Sequence, residues 1–426
     1  MRKCNNNFSL PKRTPPTSTA STTADSLYSR VASDRVSFAA SVADSPVNKH
    51  RLRLMTKSAK KIDPEATGGI VYWMLRDQRL HDNWALLYAQ QLALQHQVPL
   101  HVVVGLIPNK LHLVNLRMAA FQIKGLQEVE ADCNTLGLRF HLLQGTTKEM
   151  PNIVKFVKDH AIGAVVADFS PLRHPLKWLK SVAEKCDEKD VPVWQVDAHN
   201  IVPCWRASDH LEVGARTLRG KITRALPEYL TEFPAVAKMT GKCAGNDDGS
   251  SAVDWTAAVR SLVENGLDDS VKPVKWAVGG SQAAFQKLDD FMKTRLKHFS
   301  ADRNNPNRQV ASDLSPWITF GHIAMQRCVL QVKALKSKHS ESVDSYVEEA
   351  FVRKELSDNF CFYQPKYDSL DGAAGWARET LDTHAKDERT HTYSMKQFRD
   401  SETHDALWNG AQRQLVKEGK MHGFLR

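Results

Sequence analysis

Ser312, Asp313, Leu314, Ser315 and Pro316 have the order of a loop that opens a helix, with Ser315 placed to cap it and Pro316 at the first helical position. Free N–H groups and a positive dipole end at such a start suit an anion, although most helices begun this way are simply capped. Glu349 and Arg353 stand four residues apart in the order that favours an ion pair on a helix, and as a bare pair they read as surface charge. Arg76, Asp77 and Arg79 follow an apolar run without a G-x-G-x-x-G, which disfavours a nicotinamide dinucleotide site and leaves a structural salt-bridge cluster as their role. The 17 histidines form no H-E-x-x-H, and neither G-x-S-x-G nor a Walker-type phosphate loop occurs. Seven cysteines (Cys4, Cys133, Cys186, Cys204, Cys243, Cys328, Cys361) are scattered without metal-ligand or redox spacing, so no metal site is expected and a reducing compartment fits. Phe299 and Trp408, taken alone, read as packing residues.

The elements that must position these residues come in two styles. Short apolar runs at 69–74, 100–106, 139–143, 164–168 and 191–196 read as buried strands, separated by amphipathic stretches at 82–97, 113–136, 150–160 and 175–186. That alternation predicts a parallel sheet covered by helices on both faces, an α/β domain over residues 67–200. A connector follows over 201–252, and from 253 to 426 the pattern is helical, with helices predicted at 254–265, 283–298, 316–336, 344–363, 373–387 and 405–418. Twelve of the 58 Lys and Arg but three of the 48 Asp and Glu lie in residues 1–61, so that stretch carries +9 of the net +10. Net charge therefore says little about nucleic acid binding by the folded part. Residues 1–66 are rich in Ser, Thr and Pro and read as a disordered leader. Its composition suits an organelle presequence, and KHRLRLMTKSAKK (49–61) equally a nuclear address or a DNA-attracting tail. No stretch has the length and apolarity of a membrane span.

Local sequences narrow the reading. YWMLRDQRLHDNWAL (72–86), DFSPLR (168–173), VDAHNIVPCW (196–205), RTLRGKI (216–222), RNNP (303–306), SDLSPWITFGHIAMQR (312–327), RKELSDNFCFYQP (353–365), LWNGAQ (407–412) and GKMHGFLR (419–426) occur in order. In these segments the chain resembles the class II cyclobutane pyrimidine dimer photolyases. The resemblance implies a Rossmann-like α/β domain followed by an all-α FAD-binding domain. It also implies light-driven DNA repair, in which reduced FAD lends an electron to a pyrimidine dimer flipped out of double-stranded DNA.

On this resemblance, Ser312, Asp313, Leu314, Ser315 and Pro316 hold the FAD phosphates. Phe299, also a cofactor-binding position, stands where the family has a tyrosine near the flavin and cannot donate a hydrogen bond to phosphate. Glu349 is the active-site glutamate. Arg353, Lys354, Met421 and Gly423 meet DNA, Trp408 belongs to the electron-transfer tryptophans, and Arg426 lies near the cofactor or the DNA. In the family the helix opened at KMHGFLR continues, so the resemblance implies a chain that stops before its flavin site is complete and binds FAD and repairs dimers poorly. A cryptochrome-like photoreceptor and an inactive binder of damaged DNA are the competing functions. The expected molecule is a monomer without a membrane anchor, in the nucleus or, through its leader, in a mitochondrion or plastid. The antenna chromophore is not legible in these residues.

Overall fold

The computed structural model describes residues 26–63, 65–107, 115–145, 152–244 and 252–426. Six strands build the first half: β1 (Leu52–Leu54), β2 (Ile70–Met74), β3 (Leu100–Leu106), β4 (Arg139–Gln144), β5 (Ala164–Asp168) and β6 (Val193–Val196). They lie in the order β1-β6-β5-β2-β3-β4, with β2 to β6 parallel and β1 antiparallel on the edge. Alternate side chains go to opposite faces, as the pleat requires. Ile70, Tyr72, Met74, Val102, Val104 and Val166 join the core under the helices Trp84–His96 and Leu116–Leu136. Val71, Trp73, Val103, Val165 and Ala167 pack against Ile153–Asp159 and Arg173–Asp187. Asn83 caps one of these helices through the N–H groups of Ala85 and Leu86, and Asn115 caps another through that of Met118.

The strand order reverses between β2 and β5, which both leave the sheet at the same edge, the place where a doubly wound sheet opens a crevice. Here Asp168, at the end of β5, ties down the turn that follows β2. Its carboxylate accepts the N–H groups of Leu75 and Arg76 at 3.0 Å and of Asp77 at 2.9 Å, and the Tyr72 hydroxyl at 2.9 Å.

Part of the expected leader is folded. Leu27–Phe38 is a helix capped by Ser26, and its buried Leu27, Val31 and Arg35 recur every four residues, one stripe of a helix. Leu27 and Val31 enter the core of the helical domain, while Arg35 binds Asp82 with both nitrogens at 2.7 and 2.8 Å. Arg51 is also interior, donating to the carbonyls of Asp197, Asn200, Ile201 and Tyr229. The remainder of that expectation, residues 1–25, lies outside the described residues. The expected connector likewise contains a helix, Ala215–Tyr229.

In the second half the helix predicted over 316–336 is two, Ser315–Thr319 and Met325–Lys333. Gly321 breaks it, with φ +70° and its α-carbon so close to Asp77 that a Cβ would stand 2.4 Å from the Asp77 Cα. The helix predicted over 283–298 passes from Ser281–Asp290 through a π turn at Phe291–Arg295. That over 344–363 runs from Ser340–Val347 through a π turn at Glu348–Arg353 into Lys354–Tyr363. Gly375–Thr383, the unpredicted Met395–Asp400 and Ala406–Glu418 lie outside the core and leave Trp376, Met395 and Leu407 exposed. Among the described residues no helix is long and apolar enough to cross a membrane.

Candidate functional site

The Ser312 turn is built around a cation-rich carboxylate. Asp313 adopts φ +60°, and its side chain meets Arg295 at 3.1 Å, Lys287 at 3.7 Å and Lys420. Leu314 anchors the turn in the helical core. It also occupies the cap position in place of Ser315, which is the first helical residue, with Pro316 the second; no side chain caps this start. Arg295 is further tied to the Ala311 carbonyl at 2.9 Å and to Asp290 at 2.7 Å, yet its buried Nε has no partner. An orphaned N–H costs stability unless an acceptor arrives, so this point is prepared for an anion. Trp276 lies under both Lys287 (5.9 Å) and Lys420 (5.7 Å) and edge-on to the buried Trp317 at 6.2 Å.

Phe299 is an interior residue, in edge contact with Phe291 (5.7 Å) and Tyr346 (5.8 Å), and the Arg303 guanidinium lies over its ring at 6.0 Å. It does not reach the Ser312 turn through any ring or polar contact among the described residues. Arg303 in turn binds Glu349, so Arg303 and Glu349 form an exposed corner over the buried Phe299. The π turn overturns the pairing expected of Glu349 with Arg353. One extra residue per turn rotates Arg353 onto Glu348 at 3.0 Å, and Glu348 also takes Arg219 at 2.7 Å. Hydrogen bonding from Arg219, ahead of that from Arg353, draws the Glu348 carboxyl below its ordinary range against the effect of burial. Single turns of this kind recur at functional sites.

Lys354 is not available to a phosphate. Its ammonium donates to the His199 carbonyl at 3.0 Å and to Asn200 Oδ1 at 2.6 Å, because the helix turn that carries it faces the α/β domain. On the same turn Glu355 accepts the N–H groups of Ile201 and Val202, and Asp358 binds Arg76 twice at 2.9 and 3.0 Å. Burial pushes the Glu355 carboxyl up to about 8. For Asp358 burial acts in the same sense, but Arg76 and then Lys354 hold it far below the usual range. The salt-bridge cluster expected of Arg76, Asp77 and Arg79 is thus present: Arg79 binds Asp77 at 2.6 Å and the carbonyls of Gly321 and Ala198, locking the two domains. Between the domains, at the edge where β2 and β5 end, is a cavity of about 400 Å³ lined by Trp73, Arg76, Gln122, Trp178, Phe320 and Asp358 among others.

Trp408 is 37% exposed, and its ring partner is Phe398 at 5.2 Å. No aromatic contact among the described residues links it to the Ser312 turn. Met421 is half-buried, Gly423 exposed, and Arg426 folds back to donate to the Met421 carbonyl. The residue that ties this segment to the turn is Lys420, which the sequence reading did not single out. Lys287, Arg295, Trp276 and Trp317 were missed as well. Trp317 lies inside a quoted segment, whereas nothing local marks the other three, whose meeting point is set by tertiary packing.

Comparison with known proteins decides the family. The DNA photolyase family model matches residues 70–238. The chain is 47% identical over 405 residues to a deoxyribodipyrimidine photo-lyase of Potorous tridactylus, covering 95% of this chain and 74% of that one. The chain belongs to the DNA photolyase family. A deoxyribodipyrimidine photo-lyase of Arabidopsis thaliana is 42% identical over 89% of this chain and 76% of its own. Among solved structures, a class III photolyase of Agrobacterium tumefaciens shares the fold with a TM-score of 0.60 at 20% identity, covering 87% of this chain and 73% of that one. A Synechocystis cryptochrome does so with 0.58 at 14%, covering 86% of this chain and 74% of its own. Photolyases and cryptochromes bind FAD, and photolyases act on damaged DNA. The chemistry at the Ser312 turn fits the diphosphate of that cofactor: three cations around Asp313, only one of which, Arg295, has a second carboxylate among the described residues, in Asp290, and an unpaired, buried guanidinium N–H.

Proposed function

We propose that this chain is a light-dependent DNA repair lyase of the class II type, which splits cyclobutane pyrimidine dimers in double-stranded DNA. What carries the reading is the 47% identity to a photo-lyase over 95% of the chain, in a molecule whose Ser312 turn gathers Lys287, Arg295 and Lys420. FAD, in its reduced form, would supply visible-light absorption and an electron that is lent and then returned. Lys287, Arg295 and Lys420, with the hydroxyls of Ser312 and Ser315, hold its diphosphate; the Asp313 carboxylate keeps the three cations in register. Glu349, exposed beside Arg303, offers a carboxyl group to the carbonyl and imide edge of a flipped dimer. Arg353, whose partner Glu348 is shared with Arg219, meets a backbone phosphate, and Met421, Gly423 and Arg426 line the approach. For compartment we propose the nucleus.

Light decides between the two functions of this fold. Blue light should remove dimers from ultraviolet-irradiated DNA in the presence of the flavin-loaded chain, and darkness should not. Flavin loading with no light-dependent dimer loss would favour a photoreceptor.

A further inference from the structure

The basic run KHRLR (49–53) has no part in the reading above, and as an unfolded tail it is excluded. Lys49–Arg51 is a helical turn and Leu52–Leu54 pairs with β6. With Arg51 fixed inside on backbone carbonyls, Lys49 and Arg53 emerge on one side, where they border an open groove of about 600 Å³. Its other walls are Arg206, Trp205, Phe362 and Tyr363. The rings are braced from behind. Buried Phe169 meets both Trp205 and Phe362 edge-on at 5.4 Å, Trp205 Nε1 donates to the His50 carbonyl at 3.0 Å, and the Tyr363 hydroxyl donates to the Ser208 carbonyl at 2.7 Å.

Across this platform lies the Arg53 guanidinium, 5.1 Å from the Trp205 ring and 5.7 Å from that of Phe362. Among the described residues no carboxylate lies within salt-bridge distance of Lys49, Arg53 or Arg206, and Glu228, nearby, is taken by Asn48 and His50. Other partly buried guanidiniums are held by acceptors, a carboxylate at Arg76 and Arg173 and backbone carbonyls at Arg117. Three cations without anions, set around fixed aromatic faces, form a site that lacks its negative partner. A planar π system can stack on the exposed face of Arg53 and the rings, while Lys49 and Arg206 flank it with ammonium and guanidinium donors for a phosphate.

We infer that this groove is a second nucleotide-binding site, which stacks a nucleobase on the platform of Arg53, Trp205 and Phe362 and holds the adjoining phosphate between Lys49 and Arg206. It is separate from the dimer-repair corner. Phe362 and Glu349 lie on one continuous helical run thirteen residues apart, which at about 1.5 Å per residue is roughly 20 Å. The inference does not depend on the repair reading.

The test uses the whole chain and an undamaged eight-nucleotide oligothymidylate carrying 4-thiothymidine, with affinity read by fluorescence anisotropy over a range of salt and the contact mapped by photocrosslinking. Lys49 and Arg206 are exposed and carry no ion pair, so the double variant K49E/R206E should fold normally. It should bind at least tenfold more weakly, with a salt slope reduced by about 0.7, the one single-strand phosphate contact that the two side chains share. Crosslinks should fall on peptides containing Trp205 or Phe362, and R53Q should lose them while keeping its melting temperature. Competition by thymidine monophosphate at equal nucleotide concentration would make the natural occupant a free nucleotide; competition by the oligomer alone would make it a strand. Unchanged affinity and salt slope in the double variant, or crosslinks confined to other peptides, overturns the inference.

Discussion

Two regions of this photolyase are rich in charge and differ in how completely it is matched. At the seam between the domains, Asp82 is clasped by Arg35 and by Arg327, Arg327 also takes Glu232, and Arg76 and Asp358 form a bidentate pair. Burial alone would raise the Asp82 carboxyl; Arg35 and Arg327 instead hold it far below its ordinary range. At the Ser312 turn three cations share Asp313 and an N–H is left over. Closed charge of the first kind fixes the domains relative to each other, and open charge of the second kind waits for a ligand. Residue type does not separate the two, since both use arginine on aspartate; the tally of partners does.

The sharpest way to break the comparison is Asp82→Asn, which would leave Arg35 and Arg327 facing each other in the interior. The expected loss is about 3–5 kcal/mol of unfolding free energy, measured in urea, with the fold surviving only in a shifted transition or not at all. Next comes Arg295→Met. Because a charge-assisted hydrogen bond is worth ~1.5–3 kcal/mol, flavin retained after reconstitution should need roughly 10- to 100-fold more free FAD, while the melting temperature falls less than in Asp82→Asn, since Asp313 keeps Lys287 and Lys420. Equal damage to both variants' stability would erase the distinction drawn here.

The seam should also show itself in pH. Glu355 has a folded-state value of about 8 against 4.5 ordinarily, so between those values the folded chain holds a proton that the unfolded chain has released. Stability from this group is full below pH 4.5 and is lost as pH rises toward 8. Asp168, raised by burial and then by the Asp77 charge to about 7, acts in the same direction. His81, His101, His199 and His322, all drawn down by burial, give the opposite slope up to about pH 6.5; above that the melting temperature should fall toward pH 8, and Glu355→Gln should flatten that fall. Smaller effects belong to the exposed corner. Glu349→Gln should slow dimer splitting by about tenfold, read under saturating blue light, and leave stability within about 1 kcal/mol, as expected for an exposed pair with Arg303. Arg353→Ala should cost only a few-fold in affinity for dimer-containing duplex and lower the salt slope by about 1.

Much of the fold was legible because buried parallel strands are written locally. The strands read at 100–106 and 164–168 agree with β3 and β5 at both ends. Leu27–Phe38 escaped notice because its buried stripe is completed by an arginine, a residue counted as solvent-loving until Asp82 is seen opposite it. The helix over 316–336 looked continuous because Gly321 breaks it for a tertiary reason, the approach of Asp77. The same limit applies to the site. Ser312 to Pro316 could be found in a row, but Lys287, Arg295 and Lys420 come together only in space. Arg353 and Lys354 look alike in sequence; one residue of helix rotation sends the first to solvent and the second to His199.

The clasp on Asp82 joins residues made at very different times. Arg35 and Asp82 are 47 positions apart and Asp82 and Arg327 are 245 apart. A ribosome adding ~5–20 residues per second needs roughly 12–50 s to get from the carboxylate to its second guanidinium. Through that interval the helix Leu27–Phe38 has the α/β domain to hold but not the core that covers Leu27 and Val31, which leaves those two side chains facing water until the second half arrives.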